Sequence, residues 1–228
     1  MRHTASWYDQ QYNVRLGIPN YAELLSQWVE WSAQARRDLP CVLDLPYSER
    51  GRDDPAERLD LFMPQRPLPG GAPVLVHIHG GYWRALDKRE QSFVARDLSA
   101  RGALVVVPNY ALCPKVSIAH IVMQMVQALA WVWRNAARYG GNPHHIIVTG
   151  HSAGGHLTGM MASCRWPNVA PDLPADLVKV ALPVSGLFEL EPLRHAPFLA
   201  ADIGLTEAEA LRLSPDHFKP PASGSLLP

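Results

Sequence analysis

The run Ile146-Ile147-Val148-Thr149-Gly150-His151-Ser152-Ala153-Gly154-Gly155-His156 decides the fold. Its first four residues read as a short buried strand, and the stretch from His156 to Ser163 reads as a helix. Between them stands Gly-x-Ser-x-Gly, at the sharp strand-to-helix turn where that motif carries chemistry. Residues without bulk are needed on either side of the serine, because the backbone there is strained and neighbouring elements approach closely. The serine oxygen is then lifted clear of the sheet edge, and the following helix aims its free N–H groups and dipole at the same spot. Chance would produce this pattern only about 0.07 times in a chain of this length.

Upstream, His79-Gly80-Gly81-Tyr82-Trp83 follows the apolar run Val74 to His79. Glycines let backbone approach a ligand, and fixed N–H groups stabilise the oxyanion of an acyl-transfer step without reorganising. The expected donors are the N–H groups of Gly81 and Tyr82, at the Gly80-Gly81 turn, together with that of Ala153 after the serine. Tyr82, Trp83 and His151 are candidate pocket residues, although large aromatics more often pack in a core.

Working outward, strands are expected at Cys41 to Leu45, Arg58 to Phe62, Leu104 to Val107 and Val178 to Pro183. Helical patterns alternate with these runs, which predicts βαβ units and a mostly parallel, doubly wound sheet with helices on both faces. Leu24, Trp28, Trp31 and Ala35 mark the apolar face of a first helix. A second runs from about Ser117 to Tyr139 on Ile118, Ile121, Met125, Leu129 and Val132, with Ser117 as cap and Gly140-Gly141 as stop. Thr206 and Glu209 form a capping-box pattern that opens a short helix through Leu213. The charged stretch from Glu49 to Arg58 reads as a solvated hairpin loop.

Composition sets the class. The 228 residues carry 21 Lys plus Arg against 21 Asp plus Glu, so there is no basic excess to neutralise nucleic-acid phosphates. Hydrophobic residues make up 47%, enough for one large core, and a single domain over residues 1–228 is expected. Cys41, Cys113 and Cys164 form no CxxC pair and read as reduced thiols. With no secretory or membrane-spanning apolar run, a cytoplasmic protein that binds no membrane is expected. His77 and His79 form an HxH read as two side chains on opposite faces of the strand. With no HxxxH or cysteine set to complete it, no metal site is expected. His144, His145 and His156 read as structural histidines.

The pair HGGYW and GHSAGGH resembles the α/β-hydrolase esterases, and within them the kynurenine formamidase (arylformamidase) group. Tyr12-Asn13 followed by Pro19, and Asn109-Tyr110-Ala111-Leu112-Cys113-Pro114 after a strand, resemble that group as well, and the likeness covers residues 8 to about 217. The resemblance implies a serine hydrolase without metal or organic cofactor, with Ser152 as nucleophile and His79 bracing the oxyanion loop. Its small-molecule substrate would be N-formylkynurenine, in tryptophan catabolism, or a small aryl or alkyl ester.

The family order is Ser, then Asp or Glu, then His, with acid and base after the seventh and eighth strands. Here six strands precede a cap-like segment at about 186–217, and the tail Ser223 to Pro228 resembles only the start of a seventh. The expectation is therefore a chain without its last strands, acid and base, with an exposed sheet edge that favours lower stability or a homo-oligomer. Asp202 or Asp216 as acid and His195 or His217 as base are weaker substitutes, and a non-catalytic binding remnant is the alternative function.

Overall fold

The computed structural model of the chain describes residues 3–66 and 68–218 and the backbone of 225–226. One mixed sheet organises it. The strands are β1 (Cys41–Pro46), β2 (Arg58–Phe62), β3 (Ala72–Ile78), β4 (Leu104–Pro108), β5 (Gly141–His151), β6 (Val178–Val184) and β7 (Ser225–Leu226). They lie in the order β1-β2-β4-β3-β5-β6-β7. The β1–β2 and β2–β4 pairs are antiparallel, and the others are parallel.

The alternation of β4 shows why helices cover both faces. Leu104 and Val106 enter one core, with Val74, Val76 and Ile78 of β3 and Leu59 and Leu61 of β2. That core is closed by α4 (Ile118–Asn135) and α5 (Ala153–Ala162), which supply Ile121, Met125, Leu129, Leu157 and Met161. Val105 and Val107 enter a second core with Phe62, against Leu39 at the end of α2 (Tyr21–Asp38) and Leu98 of α3 (Ala95–Ala100). Strands buried on both faces need apolar residues at every position, and β4 is buried throughout.

The helix signals translate directly. Ser117 Oγ accepts from His120 N at 3.2 Å, and Gly140 ends the α4 run in the left-handed region at φ 79°. Thr206 and Glu209 make both bonds of a capping box at the start of α8 (Glu207–Leu213).

Three expectations need correction. The buried face of α2 is Ser32 and Ala35, with Trp28 half-buried, while Leu24 and Trp31 are exposed. The helix is turned by polar anchors that hydrophobic spacing does not register. Ser32 Oγ accepts from Phe93 N at 3.1 Å, and Arg36 pairs with buried Asp60. The β1–β2 hairpin is not wholly solvated either. Glu57 is buried, accepting from the Ser48 hydroxyl and from Gln124 Nε2 at 3.1 Å. The nucleophile-side strand β5 begins at Gly141 rather than Ile146, because Gly141 already pairs with Ala72 ahead of a bulge. At the other edge the expected start of a seventh strand is present, with Ser225 and Leu226 pairing with Val180 and Ala181 of β6. The rest of the tail, Ser223, Gly224, Leu227 and Pro228, lies outside the described residues.

Candidate active site

Ser152 sits at the turn between β5 and α5 with φ 57° and ψ −117°, a conformation that L-residues adopt only under constraint. Such a residue costs about 1–3 kcal/mol and persists where its surroundings over-determine it. The constraints are visible. Ser152 N–H donates to Val184 O at 2.9 Å at the end of β6, and Ser152 O accepts from His156 N at 3.0 Å. Gly154 is wedged against β3, where an added Cβ would lie 2.0 Å from Ile78 O. At Gly150 an added Cβ would meet Gly154 O at 2.4 Å. Both glycines are thus dictated by close approach of backbone to backbone.

The loop after β3 meets this turn. A Cβ on Gly80 would lie 2.7 Å from His151 O and 3.5 Å from Ser152 Cβ. Gly81, Tyr82 and Trp83 all have positive φ, at 101°, 51° and 56°. Arg84 and Ala85 N–H both donate to Gly81 O, which curls the loop into a tight turn. Among the described residues, the N–H groups of Gly81, Tyr82 and Ala153 donate to no protein acceptor. Three free donors beside a serine hydroxyl make a site that can hold a developing negative charge.

Anchors around the loop hold its strained backbone. The Tyr82 hydroxyl donates to Tyr12 O of α1 (Ala5–Tyr12). Arg84 pairs with Asp202 and donates to Phe198 O at 2.7 Å, both on α7 (Pro197–Ile203). Tyr110 donates to His79 O at 2.8 Å, and its ring stacks on that of His79 at 3.9 Å. Trp83 is fully buried in the core, so of its two expected roles packing is the one observed. Tyr82 is buried in the same core, edge-on to Phe198, and His151 is exposed beside Ser152.

The substitute acid and base candidates are not brought to the serine. His195 bonds Glu191 at 3.0 Å, and Asp202 is taken by Arg84. His217 lies 3.3 Å from Glu189 and 3.7 Å from Asp216, an exposed cluster whose donor atoms fall within 4.8 Å of one another. Among the described residues, the Ser152 hydroxyl has no hydrogen-bond partner.

His77 and His79 stand two residues apart, so strand alternation puts them on one side rather than on opposite faces. They are separated by their partners: His77 Nε2 faces Gln91 at 3.4 Å, and His79 Nδ1 faces Gly80 O at 2.9 Å. Burial lowers both to about 4, which keeps them neutral.

Sequence reasoning missed two arrangements. Lys88, buried at the far end of the loop, donates at 2.6 Å to both Asp44 and Asp60, and Asp60 also pairs with Arg36. No spacing in the sequence announces a network whose members lie on four elements. His156 is the second, read as structural although it touches both the loop and the segment 186–217. A cavity of about 670 Å³ also exists, between the β1–β2 hairpin and α4, lined by Glu57, Gln124 and Trp131. It contains neither Ser152 nor any residue of the loop 79–87.

Comparison with known proteins agrees with this geometry. The BD-FAE family model matches residues 59–170, which span the loop and the serine turn. A kynurenine formamidase of Danio rerio is 33% identical over 187 residues, covering 81% of this chain and 59% of that protein. The probable carboxylic ester hydrolase LipM of Mycobacterium tuberculosis is 36% identical over 158 residues, covering 67% of this chain and 36% of its own length. The chain thus spans less than two thirds of the length of these curated relatives. A crystal structure from a Silicibacter species, described as a candidate thioesterase, superposes with TM-score 0.81 at 30% identity. It covers 96% of this chain and 78% of its own. Esterase B of Lactobacillus rhamnosis shares the fold with TM-score 0.69 at 21% identity, covering 88% of this chain and 71% of that one. With the sheet order, the serine turn and the glycine loop already in place, these similarities show that the chain belongs to the α/β-hydrolases, and it is similar to a kynurenine formamidase over 81% of its length.

Proposed function

We propose that the protein is a serine hydrolase of small amides or esters, with Ser152 as nucleophile and the N–H groups of Gly81, Tyr82 and Ala153 as oxyanion donors. The observation that carries this reading is the close approach of the glycine loop to one strained serine turn, where a Cβ on Gly80 would lie 3.5 Å from Ser152 Cβ and the amides of Gly81, Tyr82 and Ala153 donate to no described acceptor. Gly80 supplies the close approach that lets loop and serine share one reacting atom. In this mechanism Ser152 Oγ attacks the substrate carbonyl carbon, its proton passes to a base, and the carbonyl oxygen takes up negative charge facing the three amides. Collapse of that adduct expels the amine or alcohol and leaves an acyl-serine, which water then hydrolyses.

The substrate this reading favours is N-formylkynurenine, cleaved to kynurenine and formate as in tryptophan catabolism, with small aryl or alkyl esters as the related class. Three free cysteines suit a reducing compartment, and the protein is assigned to the cytoplasm. Among the described residues, no helix is long and apolar enough to cross a membrane.

A fluorophosphonate probe followed by intact-mass spectrometry tests this reading. One adduct on the wild type and none on Ser152→Ala shows an activated serine, and substrate assays then start from N-formylkynurenine. Absence of an adduct on folded wild-type protein supports instead a binding protein that keeps the fold without the chemistry.

A further inference from the structure

We infer that His156 is a positioning residue that ties the oxyanion loop to the segment 186–217, so that the amides facing Ser152 are set by how that segment sits. The inference rests on the hydrolase reading above and deepens it.

Trp83 is a strained point of the loop, a bulky residue at φ 56° directly after Tyr82 at φ 51°. Two bonds fix it. Its carbonyl accepts from Cys113 N–H at 2.8 Å, and its indole Nε1–H donates to His156 Nδ1 at 3.2 Å. The imidazole lies edge-on to the indole, with centroids 5.0 Å apart and planes at 86°. On its other side His156 Nε2–H donates to Leu213 O at 2.8 Å. Accepting at Nδ1 and donating at Nε2 specifies a single neutral tautomer. Burial, which lowers this imidazole to about 4, keeps it so.

Leu213 is the last residue of α8, and its neighbourhood is itself tied down. Ser214 Oγ donates to Ala210 O at 2.7 Å and accepts from Leu190 N–H at 2.9 Å. The His156 main chain donates to Ser152 O as well. One side chain therefore joins the serine turn, the amide loop and the segment that follows β6. A shift of α8 moves the Leu213 carbonyl, and through imidazole and indole it moves the backbone that presents Gly81 and Tyr82 N–H. Removing an oxyanion donor outright costs roughly 100- to 1,000-fold in rate, and misplacing one costs a part of that.

The test compares His156→Phe, which keeps a ring but no polar atoms, with His156→Gln, which retains one acceptor and one donor. Val105→Ala in the second core serves as a merely destabilised control. Three quantities are read. They are the Trp83 indole N–H resonance, identified with Trp83→Phe, the hydrogen exchange of the Arg84, Ala85 and Cys113 amides, and the saturable kinetics of fluorophosphonate labelling. In His156→Phe the indole resonance should lose its hydrogen-bonded shift and the three amides should exchange roughly tenfold faster or more. The limiting labelling rate should fall roughly 10- to 100-fold while half-saturation changes less than about twofold. His156→Gln should recover most of each effect, and Val105→Ala should produce none.

Unchanged indole shift and loop exchange in folded His156→Phe overturn the inference, as does the same pattern in Val105→Ala. If His156→Phe does not fold, Trp83→Phe breaks the link from the other side and must raise exchange at Cys113 and Ala85. Wild type that takes no label refutes the hydrolase reading alone, because the resonance and exchange measurements still decide the coupling.

Discussion

Acid should unfold this protein through its buried histidines before its carboxylates are protonated. His79 and His156 are fully buried, and burial lowers each from 6.5 to about 4. In the unfolded chain both return to the ordinary value. Between the two values the unfolded state binds more protons, so stability is complete above about pH 6.5, falls as pH drops, and stops falling below about 4. At 1.36 kcal/mol per unit, each histidine contributes on the order of 3 kcal/mol, and the two together about 6–7 kcal/mol. That is comparable to the whole stability of a typical domain, about 5–15 kcal/mol. His77, half-buried and lowered by the same cause, acts in the same direction. Asp44 and Glu191 are held below their ordinary values by Lys88 and Arg194, so their losses come at lower pH. Urea unfolding at several pH values between about 7 and 4.5 gives the slope directly, about 1.4 kcal/mol per pH unit for each proton taken up. A slope between two and three protons is expected in the wild type, and about one proton less in His156→Gln. Stability that is flat across this window, or an identical slope in the variant, would refute the argument.

Three further outcomes follow from the packing. Gly154→Ala forces a Cβ to within 2.0 Å of Ile78 O and 2.8 Å of His79 O, with backbone on both sides. It should cost at least the 1–3 kcal/mol or so of an overpacked core and abolish probe labelling, read by urea melts and intact mass. Lys88→Met leaves Asp60 buried with Arg36 as its one cation, and a loss of about 3–5 kcal/mol is expected in the same melts. Thr206→Ala removes the α8 capping box at an exposed position and should cost about 1 kcal/mol, without change in labelling.

Much of this fold is legible where one periodicity acts alone. The serine turn announces itself because strand, glycines and helix adjoin in sequence, and Ser117, Gly140 and Thr206 mark helix ends by local chemistry. Legibility fails where two readings share one spacing. Leu24 and Trp31 compete with Leu25 and Ser32 for the buried side of α2, and the contest is settled by Phe93 and Asp60, far along the chain. Glu57 looks like one charge among many, because its partner Gln124 lies 67 positions away. The amide loop was readable as a motif, but the bond from Trp83 to His156 was not, since 73 residues separate them.

The support of the serine turn also bears on the order in which the molecule assembles. Ser152 hangs from Val184, Gly154 rests on Ile78, and Gly155 meets Gly186, so the turn leans on the ends of β3 and β6 as well as its own strand. Left-handed serine is unfavourable in an isolated peptide, and parallel strand pairs close only over long loops of chain. A nascent or partly folded chain therefore holds no preformed nucleophilic turn. In refolding, the capacity to react with a probe should return with the last and slowest closure of the sheet, after most helix and core signals have recovered.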